Sequence, residues 1–453
     1  MVAERVWTLW GVSVLSVGLW ACQGSPDTTK SDTASVGPTW HQDIAPYVAL
    51  QCAGCHNNDD NFAFPLTTFE ESAPLASWML EKMEGSDSPP YFMPPFAARD
   101  SDTCEPPALW KSDPRPTLDE LEVFRAWVDA GTPEGDPATA STLVAPQQEE
   151  LMGADVQRFT LPARTLAEGS YDDEYHCYPI DLGLDREAWI DALDVLPDNT
   201  DVVHHVLLFT DPNQDGRERA GDADSYPCFG GTGLPNSGLA YSWAPGLGPL
   251  DLGGEAGVRI PAGGGLIAQV HYHPTGEVAR DASSVVIRYA EERPARTAEF
   301  RVLGGATIQQ ADSSRWEDPP FSIPSGATQH NETWVEPLEV PNGAEVRLAS
   351  VFPHMHLAGT SIHVSIERDG EEICLASLPA WDFEWQRSYE YEGAFDELPK
   401  LESGDKIRIE CTYNNSVSNP ILMQYSDPAS IQDIVVGENS LDEMCVAIVG
   451  IHY

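Results

Sequence analysis

Three textures of apolar and polar positions follow one another along the chain. The first is a largely apolar run at residues 6–21 behind Arg5, too short for a membrane span and with the make-up of a secretory signal. Residues 22–37 are Ser, Thr, Asp, Gly and Pro with almost nothing apolar, which predicts a flexible tether. A helical texture comes next. Its clearest member is 118–129, where Leu121, Phe124, Trp127 and Val128 form one core-facing stripe. From about Met152 the pattern becomes short apolar runs between Gly, Pro, Asn and Asp, at 202–209, 266–272, 284–289, 361–367 and 406–413. That spacing predicts a mainly β fold, and its length exceeds one β-sandwich, so two are expected.

Charge narrows the partners. With 25 Lys and Arg against 72 Asp and Glu, the net charge is −47, which repels phosphate backbones and excludes nucleic acid as an expected partner. The apolar run ends Leu19-Trp20-Ala21-Cys22, which resembles the lipobox of bacterial lipoproteins, with Cys22 as the lipid-modified residue. The expectation is an exported protein on a membrane by its lipid anchor, periplasmic or at the outer membrane, where disulfides are permitted.

The nine cysteines divide by position. Cys52-Ala53-Gly54-Cys55-His56 is the c-type haem attachment pattern, in which two thiols bond the porphyrin edge and the adjacent imidazole ligates iron. Met93, in the proline-stiffened Tyr91-Phe92-Met93-Pro94-Pro95, is the expected sixth ligand; Met79 and Met83 belong to a helical core. The region resembles the small cytochrome c domains that bacteria fuse to secreted enzymes, on Trp40-His41-Gln42-Asp43-Ile44-Ala45-Pro46, Met93-Pro94-Pro95 and the closing helix with Ala130-Gly131-Thr132-Pro133. Cys177 and Cys228 are plausible partners. Cys104 and Cys374 are expected as thiols, a bridge between them being the less favoured alternative.

Histidines mark the β region. His354 and His356, at i and i+2 on an extended segment, project from one face and can offer two imidazoles to one metal. His271 and His273 repeat that spacing. His204 and His205 are adjacent, so in a regular strand they point apart; joint ligation requires a bulge or a strand end. Met444 stands beside Cys445.

Together, the His-His pair, Gln269-Val270-His271-Tyr272-His273, His354-Met355-His356-Leu357-Ala358-Gly359, Cys411-Thr412-Tyr413-Asn414 and Glu443-Met444-Cys445 resemble the copper type II, ascorbate-dependent monooxygenases over about residues 155–453. The resemblance implies jelly-roll-type sandwiches and two copper ions. His204, His205 and His271 would hold the first. His354, His356 and Met444 would hold the second, where O2 meets the substrate. His273 would stay outside, and Cys411 would bridge to Cys445. Imidazoles suit copper in both common states, whereas a thioether favours Cu(I) and argues against zinc. Peptide-amidating relatives carry an arginine where Phe352 stands, and both animal relatives a tyrosine at Ile448. A less polar substrate pocket with Phe352, Val446 and Ile448 is therefore expected.

The expected organisation is a signal at 1–21, tether 22–37, cytochrome c-like haem domain 38–136, linker 137–152, and β-sandwiches 153–292 and 293–453. The expected function is hydroxylation of a C–H bond of a small organic substrate with O2. Electrons would come from an external donor, ascorbate-like or respiratory, and pass through one covalent haem c to the first copper. The alternative is an exported haem and copper electron-transfer or binding lipoprotein without hydroxylase activity. Fold alone does not decide between them.

Overall fold

A computed structural model describes residues 37–453 except 58–63, 141–150, 152–154, 172, 245–246, 341–342, 427, 438 and 440. The candidate signal, Cys22 and nearly all of the tether lie outside the described residues.

The front of the chain is helical because its apolar positions recur at helical spacing and its helices are capped. Ala45–Gln51, Phe69–Ser72, Ala76–Glu84 and Leu118–Asp129 surround Trp40, Tyr47, Phe124 and Trp127, with Met79 and Met83 in the same core. Leu118–Asp129 starts at a capping box: Thr117 Oγ1 accepts from the Glu120 N–H at 3.3 Å, and the Glu120 carboxylate accepts from the Thr117 N–H at 2.7 Å. It stops at Gly131, whose φ of 81° lets the chain turn out of the helix.

The remainder is mainly β. A five-stranded sheet runs Tyr226–Pro227, Glu174–Asp181, Gly265–Tyr272, Val203–Asp211, Gly238–Trp243. Its central strand, Gly265–Tyr272, is buried along its whole length. A four-stranded sheet runs His330–Pro337, Lys406–Tyr413, Gly359–Arg368, Glu371–Leu378. Each packs one face on a ten-stranded sheet that continues through both halves. Val206, Leu208 and Ala268 meet Ile190, Leu193 and Ile287 in one core, and Val364, Ile407 and Ile409 meet Leu348, Val351 and Val449 in the other.

The two halves thus share a sheet. The join is a two-residue parallel pairing, Arg296 with Ala256 and Thr297 with Gly257, between strands Arg296–Gly305 and Ala256–Ile260. A pairing this short carries no alternation of its own, which is why the sequence suggests two separate sandwiches.

The segment after Met93 leaves the helical core and straps across the C-terminal half. Phe96, Ala98 and Trp110 lie in that half's core. The Arg99 N–H donates to Ser377 O at 2.9 Å, and Trp110 stacks on Tyr391 with centroids 4.8 Å apart. Cys104 and Cys374 are bonded to each other across 270 residues of sequence, which corrects the expectation of two thiols. With so long a separation, no local signal points to the pair. Cys177–Cys228 and Cys411–Cys445 are also disulfides.

Because the Cys104–Cys374 bridge removes loop entropy from the unfolded chain, Cys104→Ser should cost about 3 kcal/mol. Thermal unfolding without reductant reads this as a lowered midpoint; an unchanged midpoint would mean that the strap docks equally well unbridged.

Candidate metal centres

The first donor set forms where two central strands of the five-stranded sheet end. His271 pairs with His205, but the next residue, Tyr272, pairs with Val203. His204 is therefore the extra residue of a bulge, and the bulge turns it to the side of its neighbour. The ring nitrogens converge: His204 Nδ1 lies 3.2 Å and His271 Nδ1 3.3 Å from His205 Nδ1. One nitrogen from each ring falls within 4.8 Å of the others. Tyr175 stacks on His271 with centroids 4.2 Å apart. Asp173 Oδ1 lies 3.4 Å from His271 Nε2 and 2.7 Å from His273 Nδ1. Asp173 thus braces the far side of His271, the usual outer support of a ligating imidazole. His273 faces that carboxylate and not the cluster.

The second set lies on the ten-stranded sheet. Strands Val346–His354 and Cys445–His452 pair antiparallel, with Phe352 opposite Ile448 and His354 opposite Val446. The pairing ends there; His356 and Met444 lie just beyond it, their backbone N–H groups both bonded to the Glu443 carboxylate, and His354, His356 and Met444 line the same cavity. The His354 and His356 ring centroids are 5.1 Å apart. Gln386 Oε1 lies 2.6 Å from His354 Nδ1, and Asp442 O lies 3.1 Å from His356 Nδ1. Both Nδ1 atoms are engaged, which leaves both Nε2 atoms for a ligand. In the first set it is the Nδ1 atoms that converge.

Glu443 ties the second set together. Its buried carboxylate accepts from the backbone N–H of His356 (2.8 Å), Ala358 (2.7 Å), Gly359 (3.1 Å) and Met444 (3.2 Å). Burial raises its pKa to about 8 against the opposing pull of those four bonds. Gly359 is required here by space: a Cβ would lie 2.8 Å from Met355 Cε and 2.9 Å from Trp381 Cδ1. The roles of Glu443, Gln386 and Asp173 were not read from the sequence. A carboxylate beside Met444 was visible; its partners, remote in sequence, were not.

Both sets line one cavity of about 370 Å³, between the outer face of the five-stranded sheet and the ten-stranded sheet. Phe352, Val446 and Ile448 lie in its wall, joined by Val302, which pairs with Ile448 on the other side. Phe383 stands between the sets: its ring stacks on His204 at 5.7 Å and lies edge-on to His356 at 6.3 Å.

Burial is the largest cause of the lowered histidine pKa values. With like charge from neighbouring histidines, it pushes His204 and His356 down to about 3 and His205 well below its usual range; His354 is also lowered. Neutral imidazoles with lone pairs facing one another are a donor set for a cation. The three nitrogens of the first set and the two imidazoles with a thioether of the second both fit a soft or borderline metal ion.

At the front, no disulfide joins Cys52 to Cys55. His56 Nδ1 lies 2.8 Å from Phe64 O, which leaves Nε2 for a ligand. Phe64, next to His56, and Trp78, next to Phe64, are 43% and 37% exposed, an apolar surface that a bound planar group would cover. The Met93 N–H donates to Lys82 O at 2.9 Å, which anchors its loop to the helical core.

Two outcomes follow. The metal-free protein should lose stability as pH falls from about 6.5 towards 3, because the unfolded chain protonates histidines that the fold keeps neutral. The slope is up to about 1.4 kcal/mol per pH unit for each such histidine. Urea titrations of chelated protein across that range measure it, and a flat profile would refute it. Glu443→Ala should strand three buried N–H groups and the part-buried one of Met444, and cost about 3 kcal/mol or more. It should also remove metal from the second set before the first, which metal analysis would reveal; equal loss from both would count against this role.

Over 331 residues, 67% of this chain, the sequence is 24% identical to DBH-like monooxygenase protein 1 of Gallus gallus. The match covers 48% of that relative, so the chain spans about half its length. No family model matches. Solved structures with some likeness include the major capsid protein P2 of bacteriophage PM2, 11% identical, covering 66% of this chain and 97% of that one with a TM-score of 0.27. Another is the STIV MCP, 11% identical, covering 60% and 99% with a TM-score of 0.20. Overlap this low carries no argument about fold. The distant likeness to a DBH-like monooxygenase suggests that family.

Proposed function

We propose that the protein is a copper-dependent monooxygenase that inserts one oxygen atom of O2 into a C–H bond of a small, largely apolar substrate and reduces the other to water. Two electrons and two protons per turnover come from outside. The observation that carries this reading is that two donor sets of different softness face one apolar cavity. The relative's name points the same way. Copper, when bound, supplies the one-electron steps and the activation of O2.

The chain's own residues do the rest. His204, His205 and His271, whose Nδ1 atoms converge, would hold the first ion, with Asp173 beside His271. His354 and His356, their rings oriented by Gln386 and the Asp442 carbonyl, would hold the second with Met444 as the soft donor. Phe352, Val446, Ile448 and Val302 exclude water and orient an apolar substrate. Among the described residues, this wall presents no arginine to grip a carboxylate. Export and lipid attachment at Cys22 belong to the same proposal. So does a covalent haem, which Cys52, Cys55, His56 and Met93 would hold and which would supply one-electron storage.

The test is metal analysis with substrate-coupled O2 uptake. The mature protein should carry two coppers and one haem per chain, and Met444→Ala should lower copper towards one and abolish coupled uptake. Neutral aromatic and aliphatic compounds should be turned over in preference to carboxylates. Zinc in place of copper, or two coppers with no coupled uptake by any compound, would instead favour a binding or electron-transfer protein.

A further inference from the structure

A second cavity, of about 780 Å³, lies against the first donor set. His204, His271, Tyr175 and Phe383 line it as well as the first cavity, whereas His354, His356 and Met444 line only the first. Asp173, at His271 Nε2 on the side away from the converging Nδ1 atoms, lines only the second. The first donor set thus borders two chambers, and the second set borders one. The chambers differ in chemistry. The first has the apolar wall of Phe352, Val446 and Ile448. The second has Asp173, Glu384, Asp442 and Asn439, and among the described residues no lysine or arginine lines it.

Size and lining together select a ligand. The volume falls within the usual span of small-molecule sites, about 300–1,000 Å³. Three of the lining rings, Tyr171, Phe229 and Tyr425, are exposed to solvent and offer faces on which a flat aromatic molecule can stack. Tyr175, stacked on His271, meets Phe229 edge-on at 4.9 Å, so this aromatic wall is continuous with a ring of the donor set. Polar acceptors stand beside the rings: Tyr425 donates to Glu384 Oε1 at 2.6 Å, and Asp173 pairs with His273 at 2.7 Å. Carboxylates accept from a neutral O–H donor and repel an anion such as ascorbate.

We propose that this second cavity binds the external reductant, and that the reductant is a neutral diphenol, its ring on the aromatic wall and its O–H groups donating to Asp173 and Glu384. This rests on the monooxygenase reading above and deepens it. It gives the electron donor a site and a chemical class, in place of the ascorbate-like anion suggested by the sequence. Each diphenol loses two electrons and two protons and leaves as the quinone, which matches the two of each that one turnover consumes. The O–H protons pass to the carboxylates that accept their hydrogen bonds, and from there to solvent. Held in its own chamber, the reductant does not compete with an apolar substrate for the wall of Phe352 and Ile448.

The experiment has a binding arm and a reduction arm, both on the full-length, copper-loaded protein. Calorimetric titration with resorcinol, a diphenol that resists oxidation, should show one site per chain. Tyr425→Ala, at a residue that lines only the second cavity, should weaken binding about tenfold, the scale of one lost ring contact. If Tyr425→Ala does not fold, Tyr171→Ala reads the same effect. Val302→Trp, at a residue that lines only the first cavity, should leave resorcinol binding unchanged. In anaerobic mixing with hydroquinone, loss of the Cu(II) electron paramagnetic resonance signal should saturate with concentration, and Tyr425→Ala should raise the half-saturating concentration about tenfold. Reduction by ascorbate should not depend on Tyr425. No resorcinol binding, binding lost in Val302→Trp but kept in Tyr425→Ala, or equal hydroquinone kinetics in both proteins would overturn the inference. Tyr425-dependent reduction without substrate-coupled O2 uptake would instead end the monooxygenase reading and leave the reductant site standing.

Discussion

The site depends on the ladder of strand Cys445–His452. It is hydrogen-bonded on one side to Arg296–Gly305 and on the other to Val346–His354. Antiparallel registers on both flanks leave no freedom for it to slide, and a slip of one residue would send Met444, Val446 and Ile448 to the opposite face. As it stands, Val302, Ile448 and Phe352 form one row across three strands, and Gly304, Val446 and His354 the next. The Cys411–Cys445 disulfide pins the start of the same strand to the four-stranded sheet. Because Arg296–Gly305 also joins the N-terminal half of the ten-stranded sheet, the second donor set lies on the same sheet against which the five-stranded sheet of the first set packs.

The two centres are built on opposite principles. In the first, a bulge crowds three rings until their Nδ1 atoms meet, and support comes from a carboxylate and a stacked tyrosine. In the second, the rings are held by their Nδ1 atoms, and a buried carboxylate gathers four backbone N–H groups to shape the loop. The first is all nitrogen and the second adds sulfur, so they differ in softness as well as shape. Phe383 sits between them, part of a small apolar cluster with Leu357 and Ile421 against which Tyr91 of the Met93 loop packs.

Much of this was legible in the sequence where the signal was local. Short apolar runs between turn residues pointed to the strands, the apolar stripe at 118–129 to its helix, and the requirement for a bulge at His204-His205 followed from strand geometry alone. What was not legible depended on distance. Cys104 and Cys374 are 270 residues apart. Gln386 reaches His354 from a loop with no pattern of its own, and Glu443 looks like an ordinary surface acid until its four partners are known. The shared sheet rests on two parallel residue pairs, too few to leave a period. The strap from Phe96 to Trp110 has scattered aromatics that read as loop, because its partners lie in another part of the chain.

The helical front is therefore not an independent appendage: its Met93 loop, its strap and its disulfide all engage the half of the chain that carries the second donor set. The central claim, two unlike metal centres facing one cavity, is tested most directly by anomalous diffraction at the copper edge from crystals of the copper-loaded protein. Two peaks are expected, one among the Nδ1 atoms of His204, His205 and His271 and one among His354 Nε2, His356 Nε2 and the Met444 sulfur. A single peak, or a second peak away from Met444, would contradict it.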